Sequence, residues 1–133
     1  FLLNVPPNRH GHLADADVQV LAQLGEMIAD FRSRRIAASR EDSGNAVVLS
    51  FDSPQSVGAL VLEEDIARGQ RIDEAVVASC VEGGDEREIA RVQCVGYRRI
   101  ITLDKPVTAT QVRVTVTASR QGFYLADVYA VRA

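Results

Sequence analysis

The sequence of 133 residues contains no tryptophan, a single methionine, two cysteines and two histidines, and aromatic residues make up only 5 % of it. No apolar run approaches the roughly 18 residues that a membrane-spanning helix requires. The 15 basic residues are interspersed among 18 acidic ones, for a net charge of −3. There is thus no basic stripe to follow a nucleic-acid backbone or to hold a helix on an anionic membrane, and neither partner is expected. Cys80 and Cys94 lie in apolar stretches and read as plain buried thiols rather than as a disulfide. No Cys-x-x-Cys is present, and His10 and His12 lie far from both cysteines, so neither a metal site nor another cofactor is expected. Thiols that read as reduced, with no export signal in view, lean towards the cytoplasm. The chain opens on Phe1, in an apolar triplet too short for a signal sequence, which raises the expectation of a segment removed upstream.

What is present is globular in character, with 47 % apolar and 25 % charged residues, enough for a core. The hydrophobic period changes once, near residues 40–45. Before that point Val20, Leu21, Leu24, Met27, Ile28 and Phe31 recur at helical spacing. Asp15 and Asp17 suit the first turn of that helix, and Arg32, Arg34 and Arg35 suit its last. Ahead of it, residues 1–5 read as a short buried strand stopped by Pro6-Pro7, followed by a loop over residues 8–13. A lone strand has no pairing partner, so this strand–loop–helix piece requires a larger structure. The polar residues 39–45 read as a linker.

Beyond the linker the period is two. Strands are predicted over residues 47–51, 57–63, 72–82, 87–92, 97–103, 111–117 and 123–131. Gly83-Gly84-Asp85 reads as a hairpin turn, and Asp104-Lys105-Pro106 as a strand end. The clearest alternation is Val112, Val114 and Val116 against Arg113, Thr115 and Thr117. Short strands with turn signals at this spacing indicate an antiparallel β-sandwich.

Three strings are more specific. Asn4-Val5-Pro6-Pro7-Asn8, with Gly11 and a helix after it, resembles the last barrel strand, loop and helix of the α-L-fucosidases of glycoside hydrolase family 29. Glu64-Asp65-Ile66 with Gly69-Gln70-Arg71, and then Val95-Gly96-Tyr97-Arg98-Arg99-Ile100, are similar to strings in that family's C-terminal sandwich, and their order agrees. The resemblance implies a mainly β chain: residues 1–38 as the last βα unit of a (β/α)₈ catalytic barrel, 39–45 as a linker or truncation junction, and 46–133 as a galactose-binding-like jelly roll. Family sandwiches usually open with a strand and a Trp-bearing segment where residues 39–45 stand, so a shortened sandwich is expected. The implied activity is retaining exo-hydrolysis of terminal α-linked fucose, with fucosylated glycans as substrates and the missing barrel as intramolecular partner. The nucleophilic Asp and the acid/base Glu of such an enzyme, held about 5 Å apart, match no segment here, and the chain alone is expected to be inactive. A free-standing carbohydrate-binding module is the alternative.

Under this resemblance the loop after the last barrel strand lies on the catalytic face. Asn4, Arg9 and His10 are then the candidate substrate-binding residues; Asn4 either faces substrate or fixes neighbouring backbone. Gln70, Arg71 and Arg98 are the candidate domain-interface residues, since planar polar groups bond carbonyls and carboxylates across a boundary. Glu63, Glu64 and Asp65 point to alternating sides of a strand, do not converge, and read as a solvated strand end. Among the aromatics of the β region most read as core; Tyr124, next to Phe123 and facing the other way, is the candidate exposed sugar platform.

Overall fold

The computed structural model describes residues 3–81 and 84–133. They divide into two compact units, Phe1–Ser33 and Arg34–Ala133. In the first, α1 spans Asp15–Ser33 with Asp15 and Asp17 in its first turn and Arg32 in its last, as the charge pattern predicts. Residues 3–5 are not a strand, and Phe1 and Leu2 lie outside the described residues. Among the described residues nothing pairs with residues 3–5, and a strand without a ladder has no backbone partners. Within this unit no residue of α1 is buried.

The second unit is an antiparallel sandwich of β1 (Ser39–Ser43), β2 (Ala46–Glu64), β3 (Ile72–Cys80), β4 (Arg87–Gln93), β5 (Arg99–Ser119) and β6 (Leu125–Arg132). Two strands run through both layers. The first part of β2 pairs with β1 and with residues 111–115 of β5, while its second part pairs with β6 and with residues 99–109 of β5. β3 joins the far half of β5 and β4 closes that side. Five strands in the order β1-β2-β5-β3-β4 therefore face three in the order β6-β2-β5. Inward residues of both layers, among them Leu49, Leu60, Leu62, Ile72, Val77, Val112 and Val114, form one core. The alternation read at residues 112–116 is the burial pattern observed, with Val112, Val114 and Val116 inside.

The strands predicted at 47–51 and 57–63 are thus one strand, as are those at 97–103 and 111–117. Asp104, Lys105 and Pro106 do not end a strand: β5 continues, and residues 103–106 bulge opposite Gly58 between the pairs Val57–Val107 and Ala59–Thr102. A bulge is where a strand tolerates proline, because no ladder N–H is needed there. Residues 39–43, polar enough to read as a linker, form β1, which pairs in register with β2 across the turn at Gly44, whose φ is +59°. An edge strand has one partner and a solvated side, so composition does not mark it. The strand that the family pattern leads one to miss at this point is therefore present. Of the predicted hairpin turn, Gly84 N–H donates to the Val81 carbonyl at 2.8 Å; Gly83, and Glu82 at the predicted end of the preceding strand, lie outside the described residues.

The edge of the three-stranded layer at β6 is covered. Residues 34–36 run along β6, with Ile36 N–H donating to the Ala130 carbonyl at 2.9 Å and Arg132 N–H to the Arg34 carbonyl at 2.8 Å. Arg40 crosses from β1 to the start of β6, donating to the carbonyls of Leu125 (2.7 Å) and Ala126 (3.3 Å) while pairing with Asp42 at 2.8 Å. Opposite the bulge, a Cβ on Gly58 would lie 2.7 Å from the Cα of Ala133, whose N–H bonds the Ser56 carbonyl. Gly58→Ala is expected to displace the C-terminal residue at a cost of about 1–3 kcal/mol. In a chain ending at Arg132 the same substitution is expected to cost less, and urea unfolding of the four variants measures the coupling.

Candidate functional site

The second part of β2 ends in three carboxylates, and the strand's alternation sends them to different places. Glu64 turns inward and is 2 % exposed. Its Oε1 accepts the backbone N–H groups of Arg71 (2.6 Å) and Ile72 (3.1 Å), and its Oε2 accepts that of Gly96 (3.2 Å). Its own N–H donates to the Gly96 carbonyl at 3.1 Å, and the next residue, Asp65, donates to the Tyr124 carbonyl at 2.9 Å. One buried carboxylate thus gathers the β2–β3 and β4–β5 loops at one end of the sandwich, and the Asp65 N–H holds the β5–β6 loop beside them. The expectation of a solvated strand end is corrected for Glu64: three amides unpaired by the ladder require an acceptor. Asp65 is exposed and accepts the Ala67 N–H at 2.9 Å. The three groups do not converge, as the alternation predicts.

Glu63 turns to the outer face of the three-stranded layer and pairs with Arg98, Oε1 accepting from Nε at 2.7 Å. This bond raises the Arg98 pKa above the usual guanidinium value against an opposing desolvation, with the charge of Glu63 and then Tyr129 and Tyr97 acting in the same direction as the bond. The guanidinium lies 5.6 Å from the centre of the Tyr97 ring. Opposite Glu63 in register stands Asp127 on β6. Asp127 takes a two-pronged bond from Arg35 at 2.9 and 3.1 Å, and Arg35 covers the Tyr129 ring at 4.2 Å. Arg98, Glu63, Asp127 and Arg35 therefore form a row across the layer. A cavity of about 410 Å³ lies beside Arg35, between residues 35–40, Leu49 and residues 127–129.

Arg71 donates to the Gly122 carbonyl at 2.7 Å, and the Gln70 side chain lies against Gly96. Gln70, Arg71 and Arg98 are therefore brought to one end of the sandwich, with Arg71 and Arg98 bonded within it. Asn4, Arg9 and His10 are exposed in the first unit. The loop around them is organised by Asn8, whose Oδ1 accepts the N–H groups of His10 (2.9 Å) and His12 (3.0 Å). Tyr124 is exposed, at 63 %, while Phe123 packs on the core, as their alternation predicts. Tyr97 departs from the expectation of core packing and is 67 % exposed. It precedes β5 rather than lying within it, and the Gly96 φ of +64° turns the chain just before it. Both cysteines are free thiols, but Cys94, expected to be buried, is exposed at a φ of 59°.

This is an antiparallel β-sandwich of the galactose-binding-like kind, with its irregular loops collected at one end around Glu64. No family model matches the sequence. Among solved structures, a proposed α-L-fucosidase of Bacteroides thetaiotaomicron superposes on 97 % of the chain with a TM-score of 0.85 and 26 % identity. A second, from Bacteroides ovatus, covers 99 % with a TM-score of 0.80 and 27 % identity. The chain spans only 29 % and 23 % of those two proteins. A family 32 carbohydrate-binding module of Streptococcus pneumoniae EndoD matches 66 % of the chain, and 69 % of its own length, at a TM-score of 0.57 and 19 % identity, a likeness of fold alone. The resemblance carried by the sequence strings is thus matched in three dimensions by partial superposition on fucosidase structures.

Glu64→Ala is expected to destabilise the protein by about 3 kcal/mol or more, because three amides lose their acceptor without gaining water. Glu63→Ala, one residue away on the outer face, is expected to cost about 1 kcal/mol or less. Urea unfolding measures both, and similar losses at the two positions would contradict the role given to Glu64.

Proposed function

We propose that this chain is the C-terminal part of a retaining exo-α-L-fucosidase, in which the sandwich supports a catalytic barrel that acts on terminal α-linked fucose. The observation that carries the reading is the first unit: a nineteen-residue helix in which Val18, Val20, Met27 and Ile28 are exposed and no residue is buried within its own unit. A helix with that much apolar surface gains its stability from neighbours. The partial superposition on proteins several times longer supports those neighbours being a barrel. On this reading the barrel's last βα unit, expected over residues 1–38, is the first unit up to Ser33, with residues 34–36 running along β6 of the sandwich, and Asn4, Arg9 and His10 sit at the rim of its sugar pocket. Gln70 and Arg71, on the β2–β3 loop, are the sandwich's contribution to the contact.

The division of labour has a chemical consequence. Retention requires a nucleophilic carboxylate and an acid/base carboxyl about 5 Å apart across the glycosidic bond. Glu63, Glu64 and Asp65 diverge, and Glu64 is saturated by backbone amides, so the sandwich supplies structure and the barrel supplies both groups. The 133-residue chain is expected to leave 4-nitrophenyl α-L-fucoside unhydrolysed while binding an apolar-surface dye and self-associating on gel filtration. A chain beginning at Arg34 is expected to lose the dye binding. Fucoside turnover by the purified chain, or a dye-silent monomer, would overturn the proposal.

A further inference from the structure

We propose that the groove between β4 and the first half of β5 receives an extended peptide segment of a partner protein, with an aliphatic side chain inserted between the layers and a cation and an acid on either side of it. On this side of the sandwich each layer ends in an edge. Among the described strands β4 pairs with β3 alone, and residues 99–109 of β5 pair with β2 alone. Towards the Glu64 end the two strands bury Val92 and Ile101 in the common core. Towards the other end both carry a bulge: Ile89 is the extra residue of β4 between the pairs Val77–Ala90 and Ala78–Glu88, and residues 103–106 are the extra residues of β5. A cleft of about 730 Å³ lies there, lined by Val81, Ile89, Leu103 and Val107 among others. Three of these, Ile89, Leu103 and Val107, pack on the core, so the cleft opens onto the space between the layers. A bulge interrupts the ladder, so neither bank offers an unbroken edge to another sheet; what it offers is a recess for a side chain.

The other side of the sandwich shows how such a recess is filled. There residues 34–36 run along β6, Ile36 is 4 % exposed within the core, and Arg35 beside it pairs with Asp127 at 2.9 Å. An extended segment, one aliphatic side chain between the layers and a flanking charge on the bank is thus the chain's own solution. The β4–β5 side has the recess and the charges without the segment. Asp85 and Arg87 stand on one bank and Asp104 and Lys105 on the other, all four exposed. Among the described residues none of the four makes an ion pair or a side-chain hydrogen bond, whereas Arg35, Arg40, Arg91, Arg98, Arg113 and Arg120 are all paired with acids. Charge therefore selects the occupant. Two acids and two cations favour a segment that carries both signs, because a wholly basic or wholly acidic one would meet two like charges. Exposed pairs contribute little affinity, so the inserted side chain supplies most of it and the charges set the choice of partner.

The proposal does not rest on the fucosidase reading, because binding is measured on this chain without any fucoside. A short fluorescein-labelled peptide, Ser-Thr-Lys-Ile-Glu-Thr-Ser, is titrated with the 133-residue protein, and fluorescence polarisation gives a Kd expected on the order of 0.1 mM. Serine in place of the central isoleucine is expected to weaken binding about tenfold or more, the contribution of one buried aliphatic side chain. Peptides with Lys-Ile-Lys or Glu-Ile-Glu at the centre are expected to bind about threefold more weakly than the parent. The double variant Arg87→Glu, Lys105→Glu makes both banks acidic, and in it the Lys-Ile-Lys peptide is expected to bind more tightly than the parent peptide. Its circular dichroism is expected to be unaltered, since neither side chain has a partner to lose. Absence of binding by the parent peptide, indifference to the serine change, preference of the unmodified protein for a single-sign peptide, or an unchanged preference in the double variant would each overturn the assignment. So would self-association, detected by sedimentation and abolished by the double variant, since the groove would then hold a second copy.

Discussion

The loop end of the sandwich depends on a carboxylate that water scarcely touches. Burying an ionisable group is costly unless hydrogen bonds replace its hydration, and Glu64 has three of them, all from backbone amides. Those amides belong to segments that have left the ladder, so the carboxylate and the loops solve each other's problem. Arg71 and Ile72 N–H groups at the entry to β3, and Gly96 N–H before β5, would otherwise be polar groups at the margin of an apolar core that includes Ile72 and Val95. A neutral, smaller side chain at this position would leave all three unsatisfied. The loops bearing Gln70, Arg71 and Tyr97 are placed by this acceptor, and Tyr124 is held beside them by the Asp65 N–H.

The rest of the sandwich follows from two strands that are too long for one layer. β2 has nineteen residues and β5 twenty-one, and each serves both layers by bending across the corner. Because the same pair of strands is hydrogen-bonded along most of its length, the two layers cannot slide independently. At the corner residues 51–54 of β2 stand opposite Thr110 alone, while the bulge at residues 103–106 lies within the narrower layer, where Gly58 leaves room for Ala133. Five strands face three, and the narrower layer is completed by residues 34–36 along β6 and by the Arg40 clamp. These devices cover the outer side of β6 and limit edge-to-edge association there, while β1 and β4 are edge strands with one partner each.

Sequence patterning makes the inward face legible and the connections illegible. Val112, Val114 and Val116 announce their burial because a strand with one wet face alternates. Continuity across a corner or a bulge has no such signature: Asp52, Ser53 and Pro54 at the corner of β2, and Asp104, Lys105 and Pro106 at the bulge of β5, carry the residues of a turn while the strand continues. β1 is missed for the opposite reason, since an exposed edge strand has no apolar side to display. At the site, the alternation of Glu63, Glu64 and Asp65 is readable, but whether the inward member meets amides or water depends on loops distant in sequence. Tyr124 could be assigned to the surface because Phe123 beside it supplies a reference. Tyr97 has no such neighbour in a regular strand, and its exposure is set by the turn at Gly96.

The outer face poses an energetic question that its geometry helps to answer. Arg98 with Glu63 and Arg35 with Asp127 are partly exposed pairs, of a type that contributes between nothing and about 1 kcal/mol to stability, while ordering two long side chains costs a comparable amount of rotamer entropy. Stability therefore gives little reason for four charges to be arranged in a row across three strands. The same row on a buried face would have to justify its desolvation; here the pairs stand partly solvated beside Tyr97 and Tyr129. The contrast with Glu64, a short distance along the same strand, is instructive: the inward carboxylate is spent entirely on the protein's own backbone, and the outward one retains acceptor capacity that the fold itself does not use.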